Sequence, residues 1–262
     1  MRIEWGGSAA DIRELGSGPA IVLVHGYPLD GAMWSGVARA LATKFRVFKP
    51  DLPGRGNTDA AAPDSIAGYA DFVGTLVAEL ESPVGIAGFS FGGYISLELM
   101  KRGPEKVRAL ALVDSRASAD DAAGRARRDE TIAAVRADGI KPVVESMPAT
   151  LLSSESLGRP DLVERVRRMI SRQNPETIVA DLAAMRDRPD SFEFLPLVAV
   201  PTLVVVGEQD ALTPPADSEA MAAAIPGARL VRVPGAGHLT PMERPKAVAE
   251  ALADFFTSTL IS

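Results

Sequence analysis

Gly88-Phe89-Ser90-Phe91-Gly92 sets a serine between two glycines, directly after the apolar run 84–87. Glycine on both flanks lets a backbone turn sharply from strand to helix and pass close to its neighbours, with the hydroxyl thrust outward. A serine hydroxyl is a weak nucleophile at neutral pH and needs a base to take its proton, most often an imidazole held by a carboxylate. The chain has two histidines, His25 and His238. His238 stands in Gly235-Ala236-Gly237-His238-Leu239, the composition of a loop able to reach a serine at the carboxyl edge of a sheet, and is the expected base. His25 closes the apolar run 20–24 and is expected to bond backbone groups, with the role of base as its alternative. The favoured acid is Asp210 in Gly207-Glu208-Gln209-Asp210, just beyond the run 202–206; Asp114, which follows 107–113, and Glu208 are its rivals.

Positioning three such groups requires strands that end side by side. Short apolar runs at 20–24, 45–48, 84–87, 107–113, 202–206 and 230–233 read as central strands, and 3–5 with 12–14 as an antiparallel edge, about eight strands in all. Amphipathic stretches at 33–43, 66–80, 92–102, 216–224 and 245–256 read as the helices between them. Strands alternating with helices predict an α/β fold with a mostly parallel sheet and helices on both faces. The alternation breaks after the sixth strand. From 116 to 190 the periodicity is helical and punctuated by Pro142, Pro148, Pro160 and Pro175, so this segment is expected as a helical cap inserted into a core of 1–115 and 191–262. It carries 13 basic and 13 acidic residues, which leaves the whole net charge of −6 on the core. The run Arg125-Ala126-Arg127-Arg128-Asp129-Glu130 reads as a solvated helix face.

Composition removes other chemistries. The chain has no cysteine, so a thiol nucleophile and thiolate metal sites are excluded, and two histidines cannot make a three-histidine zinc site. No cofactor or metal is expected. A net charge of −6 argues against nucleic acid as a partner. No apolar run approaches membrane-spanning length and the first residues lack a signal-peptide pattern, so a cytoplasmic protein without membrane contact is expected.

Several stretches in this order resemble the α/β-hydrolases, specifically bacterial serine carboxylesterases with a helical cap: His25-Gly26-Tyr27-Pro28-Leu29-Asp30, Asp51-Leu52-Pro53-Gly54-Arg55-Gly56, the serine turn, Val113-Asp114-Ser115-Arg116-Ala117, Gly207-Glu208-Gln209-Asp210 and Gly237-His238-Leu239-Thr240-Pro241-Met242-Glu243. The resemblance implies a Ser90, Asp210, His238 triad and an oxyanion hole built from the backbone amides of Tyr27 and Phe91. It implies a small-molecule ester as substrate, with enol-lactonase or perhydrolase activity, or a non-catalytic ligand-binding homologue, as alternatives. Leu29 and Met147, the latter in the most apolar part of the insertion, are the expected substrate contacts.

Overall fold

The computed structural model describes residues 1–56, 58–81 and 83–261. Its strands are β1 (Arg2–Trp5), β2 (Ser8–Asp11), β3 (Arg13–Leu15), β4 (Ala20–Val24), β5 (Arg46–Lys49), β6 (Val84–Phe89), β7 (Val107–Val113), β8 (Thr202–Gly207) and β9 (Arg229–Val233). Among the described residues β3 to β9 form one seven-stranded sheet in the order β3-β5-β4-β6-β7-β8-β9. Every pairing in it is parallel except β3 with β5. Strands β4, β6 and β8 are buried along their whole length, as a parallel sheet covered on both faces requires.

The expected antiparallel edge is only partly present. Residues 13–15 form it, but β1 instead pairs with β2 in a separate two-stranded sheet. The reason is local: Gly6 and Gly7, with φ of +58° and +76°, make a two-residue turn that closes β1 onto the next segment before the chain can reach the edge. Trp5 then sets its ring edge-on to Phe72, 5.6 Å between centroids, which docks the hairpin on the helix beneath.

Helices α1 (Ser35–Leu41), α2 (Ile66–Ala78) and α3 (Phe91–Lys101) precede β7 in the chain. Five more, α4 (Ala122–Asp138), α5 (Lys141–Leu151), α6 (Ser154–Leu157), α7 (Pro160–Ser171) and α8 (Pro175–Arg186), lie between β7 and β8. The rest are α9 (Pro215–Ala224), α10 (Thr240–Glu243) and α11 (Pro245–Leu260). Strand β6 shows how the two faces are covered. A Cβ on Gly85 would lie 2.6 Å from the Phe256 ring of α11, and one on Gly88 would lie 2.3 Å from the Gly92 carbonyl of α3. Residues an odd number apart on a strand point to opposite faces, so α11 and α3 cover opposite sides of the sheet.

Between β7 and β8 the prolines act as starts rather than breaks. Pro160 and Pro175 open α7 and α8, where a missing N–H costs nothing, while Pro148 lies inside α5. The helical segment is fastened to the sheet domain by polar contacts. Arg172 Nη2 donates to Asp30 at 2.6 Å, Thr177 Oγ1 donates to the Gly54 carbonyl at 2.8 Å, and buried Asp181 of α8 accepts from Tyr69 Oη at 2.5 Å and from Arg55. Among the described residues no helix is long and apolar enough to cross a membrane.

Removing one member of a buried ion pair strands the other. Asp181→Ala leaves the Arg55 guanidinium buried without its carboxylate and is expected to cost about 3–5 kcal/mol of unfolding free energy. Chemical denaturation of the two proteins reads this directly, and superimposed unfolding curves would contradict it.

Candidate active site

Ser90 occupies the turn between β6 and α3 with φ 50° and ψ −111°, a left-handed conformation that side chains rarely adopt. Its own amide donates to the Val113 carbonyl at 2.9 Å, and its carbonyl accepts from Gly93 and Tyr94 of the new helix. The flanking glycines are needed for close approach rather than for a positive φ. A Cβ at Gly92 would lie 2.4 Å from the Val24 carbonyl oxygen, so α3 reaches β4 only because that atom is missing.

The loop after β9 carries His238 to this turn. Its Nε2 lies 2.8 Å from Ser90 Oγ and its Nδ1 lies 2.8 Å from Asp210 Oδ2. An ionised carboxylate can only accept, so Nδ1 carries the ring proton and Nε2 presents a lone pair to the serine hydroxyl. Asp210, just past β8, is itself fixed by the amides of Leu212 and Thr213, each at 2.9 Å, and by Thr213 Oγ1 at 2.7 Å. The structure thus brings Ser90, His238 and Asp210 into one hydrogen-bonded line.

The two candidate acids differ in environment. Burial alone would raise the Asp210 carboxyl, but the facing imidazole and the Thr213 donors outweigh it and hold it below the usual carboxylate range. Asp114 is pushed well above that range by burial and by the neighbouring Asp210 charge, despite donors from Thr240 and Gly207. It does not meet the imidazole: its oxygens are taken up by the Gly207 amide and by Thr240, which tie β7 to β8 and to the histidine loop. Glu208 is exposed.

His25 is fully buried and both ring nitrogens are spent. Nδ1 donates to the Gly26 carbonyl at 3.1 Å, and Nε2 accepts from the Leu52 amide at 3.0 Å. The ring therefore braces the turn that carries Tyr27. Among the described residues neither the Tyr27 amide nor the Phe91 amide donates to another group. Phe91 is the first residue of α3, where the helix supplies no carbonyl partner.

Ser90 and His238 open into a cavity of about 480 Å³, walled on its apolar side by Met147 of α5, Met185 of α8 and Leu212. Met147 is thus where the sequence reading expects it. Leu29 is not: it does not line this cavity but is fully buried, because its amide turns back to the Gly26 carbonyl and folds the side chain into the core. Tyr27 lines the cavity instead. The run 125–130 is the exposed face expected except at Arg128, which is half-buried, and Arg127 and Arg128 also reach the cavity wall. A further buried carboxylate, Glu243, is not among the residues to which the sequence assigns a role. It accepts from the amides of Gly237, Leu239 and Ser153, and so shapes the histidine loop. Its signal is the i+5 spacing from His238 across a proline-started helical turn.

Residues 21–251 match the model of the alpha/beta hydrolase family. The chain belongs to this family. Among its relatives is a pimeloyl-[acyl-carrier protein] methyl ester esterase from Neisseria meningitidis, 30% identical over 90% of this chain and 92% of the relative. A thermophilic esterase from Thermogutta terrifontis, solved with malate bound, superposes with a TM-score of 0.93 at 32% identity over 98% of both chains. An enol-lactonase from Burkholderia xenovorans LB400 superposes with a TM-score of 0.90 at 25% identity, over 98% of this chain and 100% of that one. The α/β-hydrolase sheet, mostly parallel and covered by helices on both faces, is the one described above.

Burial pushes the His25 imidazole down to about 3, with the Arg55 charge acting in the same direction. Unfolded, the same ring takes up a proton below about 6.5. Between these values the unfolded chain binds the extra proton, so stability rises with pH there. The contribution of His25 is complete above about pH 6.5 and is lost as pH falls. From pH 6 to 4 the unfolding free energy of the wild type should fall more steeply than that of His25→Gln, by about 1.4 kcal/mol per pH unit. Equal slopes would mean that the folded ring titrates normally.

Proposed function

We propose that this α/β-hydrolase is a serine carboxylesterase that cleaves small carboxylic esters through an acyl-enzyme. The observation that carries the reading is the line from Ser90 Oγ through His238 to Asp210, with 2.8 Å at each imidazole nitrogen. In this reading Ser90 Oγ attacks the ester carbonyl while its proton passes to His238 Nε2. Asp210 keeps the ring in the Nδ1–H tautomer and stabilises the imidazolium that forms. The unengaged Tyr27 and Phe91 amides are the donors for the carbonyl oxygen as it gains negative charge. The alcohol leaves with the proton from Nε2, and water, deprotonated by the same nitrogen, releases the acid and restores Ser90.

The segment 116–190 acts as the cap of this site, since α5 and α8 supply part of the cavity wall. The substrate is a small molecule and no cofactor takes part. The methyl ester esterases among the relatives support ester cleavage, and the likeness to the enol-lactonase favours lactones as a second substrate class using the same carbonyl chemistry.

Hydrolysis of 4-nitrophenyl acetate tests the assignment. Ser90→Ala and Asp210→Asn should each lower kcat by about four orders of magnitude or more. Asp114→Asn should keep kcat within about tenfold and lower the melting temperature, because its carboxyl binds backbone and Thr240 rather than the base. An active Asp210→Asn beside an inactive Asp114→Asn would overturn the choice of acid.

A further inference from the structure

The polar wall of the cavity beside Ser90 is electrostatically one-sided. Arg116, Arg127 and Arg128 line it, and Asp120 is the one carboxylate among the lining residues described. Asp120 is buried and shared among three guanidiniums: Oδ1 accepts from Arg116 Nη2 at 2.6 Å and from Arg188 Nη1 at 2.9 Å, and Oδ2 accepts from Arg128 Nε at 3.1 Å. Arg188 has a structural task. It is buried, donates also to the carbonyls of Met185 and Ser118, and stacks on the Tyr94 ring with Cζ 4.2 Å from the centroid. Its charge already balances that of Asp120.

Arg116 and Arg128 are therefore surplus cations, half-buried, each hydrogen-bonded to one carboxylate that is already neutralised. Among the described residues the two terminal nitrogens of Arg128 donate to no acceptor, and Arg116 Nε is buried without a partner. Asp217 of α9 is felt by Arg116 but does not line the cavity. A second, independent sign lies at Tyr27, which is near enough to Arg128 to feel its charge. The Tyr27 hydroxyl is buried, has no hydrogen-bond partner and belongs to a residue of the cavity lining. Burial and the Asp181 charge keep that phenol protonated, so it is a donor without an acceptor. Unmatched donors of this kind are costly to bury, and an anion supplies what they lack.

We propose that the cavity takes an ester bearing a free carboxylate at its far end, such as a half-ester of a dicarboxylic acid, with Arg116, Arg128 and the Tyr27 hydroxyl binding that carboxylate. Met147, Met185 and Leu212 then accompany the methylene chain between the carboxylate and the scissile carbonyl. The inference rests on the esterase reading and names its substrate class.

Monomethyl adipate and dimethyl adipate share the chain and one methyl ester and differ at the far end, a carboxylate in the first and a second methyl ester in the other, so the diester rate is counted per ester group. The wild type should hydrolyse the half-ester with a kcat/KM about tenfold to a hundredfold above that of the diester, the range expected for charged hydrogen bonds. Arg128→Gln should lower this ratio by about tenfold, and Tyr27→Phe, which keeps the backbone amide, should lower it as well. A ratio of one or less, no turnover of the half-ester, or a ratio unchanged in both variants overturns the proposal. A readout that needs no variant is inhibition of 4-nitrophenyl acetate hydrolysis by adipate, with neutral adipamide as control. Equal inhibition by the two overturns the proposal, and stronger inhibition by inorganic phosphate overturns the choice of a carboxylate. Turnover of 4-nitrophenyl acetate separates the two levels: if it persists while the charge preference is absent, only this inference fails, and if it is absent, the esterase reading itself fails.

Discussion

Ser90 holds a left-handed backbone that costs free energy, and the surrounding packing exists in the form that makes it tolerable. Strand β6 must stop and α3 must start within one residue, with α3 lying directly over β4 and β6. That closeness is possible because Gly88 and Gly92 carry no Cβ: one added to either would meet a backbone carbonyl at 2.3 or 2.4 Å. The same geometry leaves the Phe91 amide at the head of the helix without a partner, next to the hydroxyl. Strain, packing and a free donor are thus one local solution. The neighbouring strands are then constrained in turn, because the Val113 carbonyl at the end of β7 is the acceptor that fixes the Ser90 amide.

Electrostatics divides the work among groups of the same type. Asp210 and Asp114 leave adjacent strands, yet one faces an imidazole and the other faces a threonine and two amides. His238 and His25 divide similarly: one ring is held by a carboxylate and open to the serine, the other is locked between two backbone groups. In each pair residue type alone is uninformative, and the partner decides the chemistry.

Much of this was legible in the chain. Runs such as 20–24 and 202–206 are continuously apolar because both sheet faces are covered, and a buried parallel strand has no other pattern. The serine turn declares itself through its glycines, and His238 through the loop around it. What escaped depends on contacts distant in sequence or on the path of a turn. Strand β2 reads Ser-Ala-Ala-Asp and has no apolar alternation; it exists because Gly6 and Gly7 fold β1 back on it. Leu29 stands two residues from Tyr27, but the turn between them sends it to the core and Tyr27 to the cavity. Arg128 has the composition of a solvated helix face and is drawn inward by Asp120, whose burial no local pattern announces.

The helical segment does more than cover the sheet. At the end of α5 the Leu151 carbonyl accepts from the Leu239 amide at 3.0 Å, and the Ser153 amide donates to Glu243 at 2.9 Å, so the chain that walls the cavity is laced to the loop bearing His238. A Cβ on Gly237 would lie 2.6 Å from the Ser153 nitrogen, which leaves no slack in that seam. The segment is consequently not a detachable module. A graft of the corresponding helices from another α/β-hydrolase would import a different seat for the histidine loop along with a different cavity. A substitution at 151–153 therefore has to be accommodated by residues 237–243, because the two stretches share one set of hydrogen bonds and one tight contact.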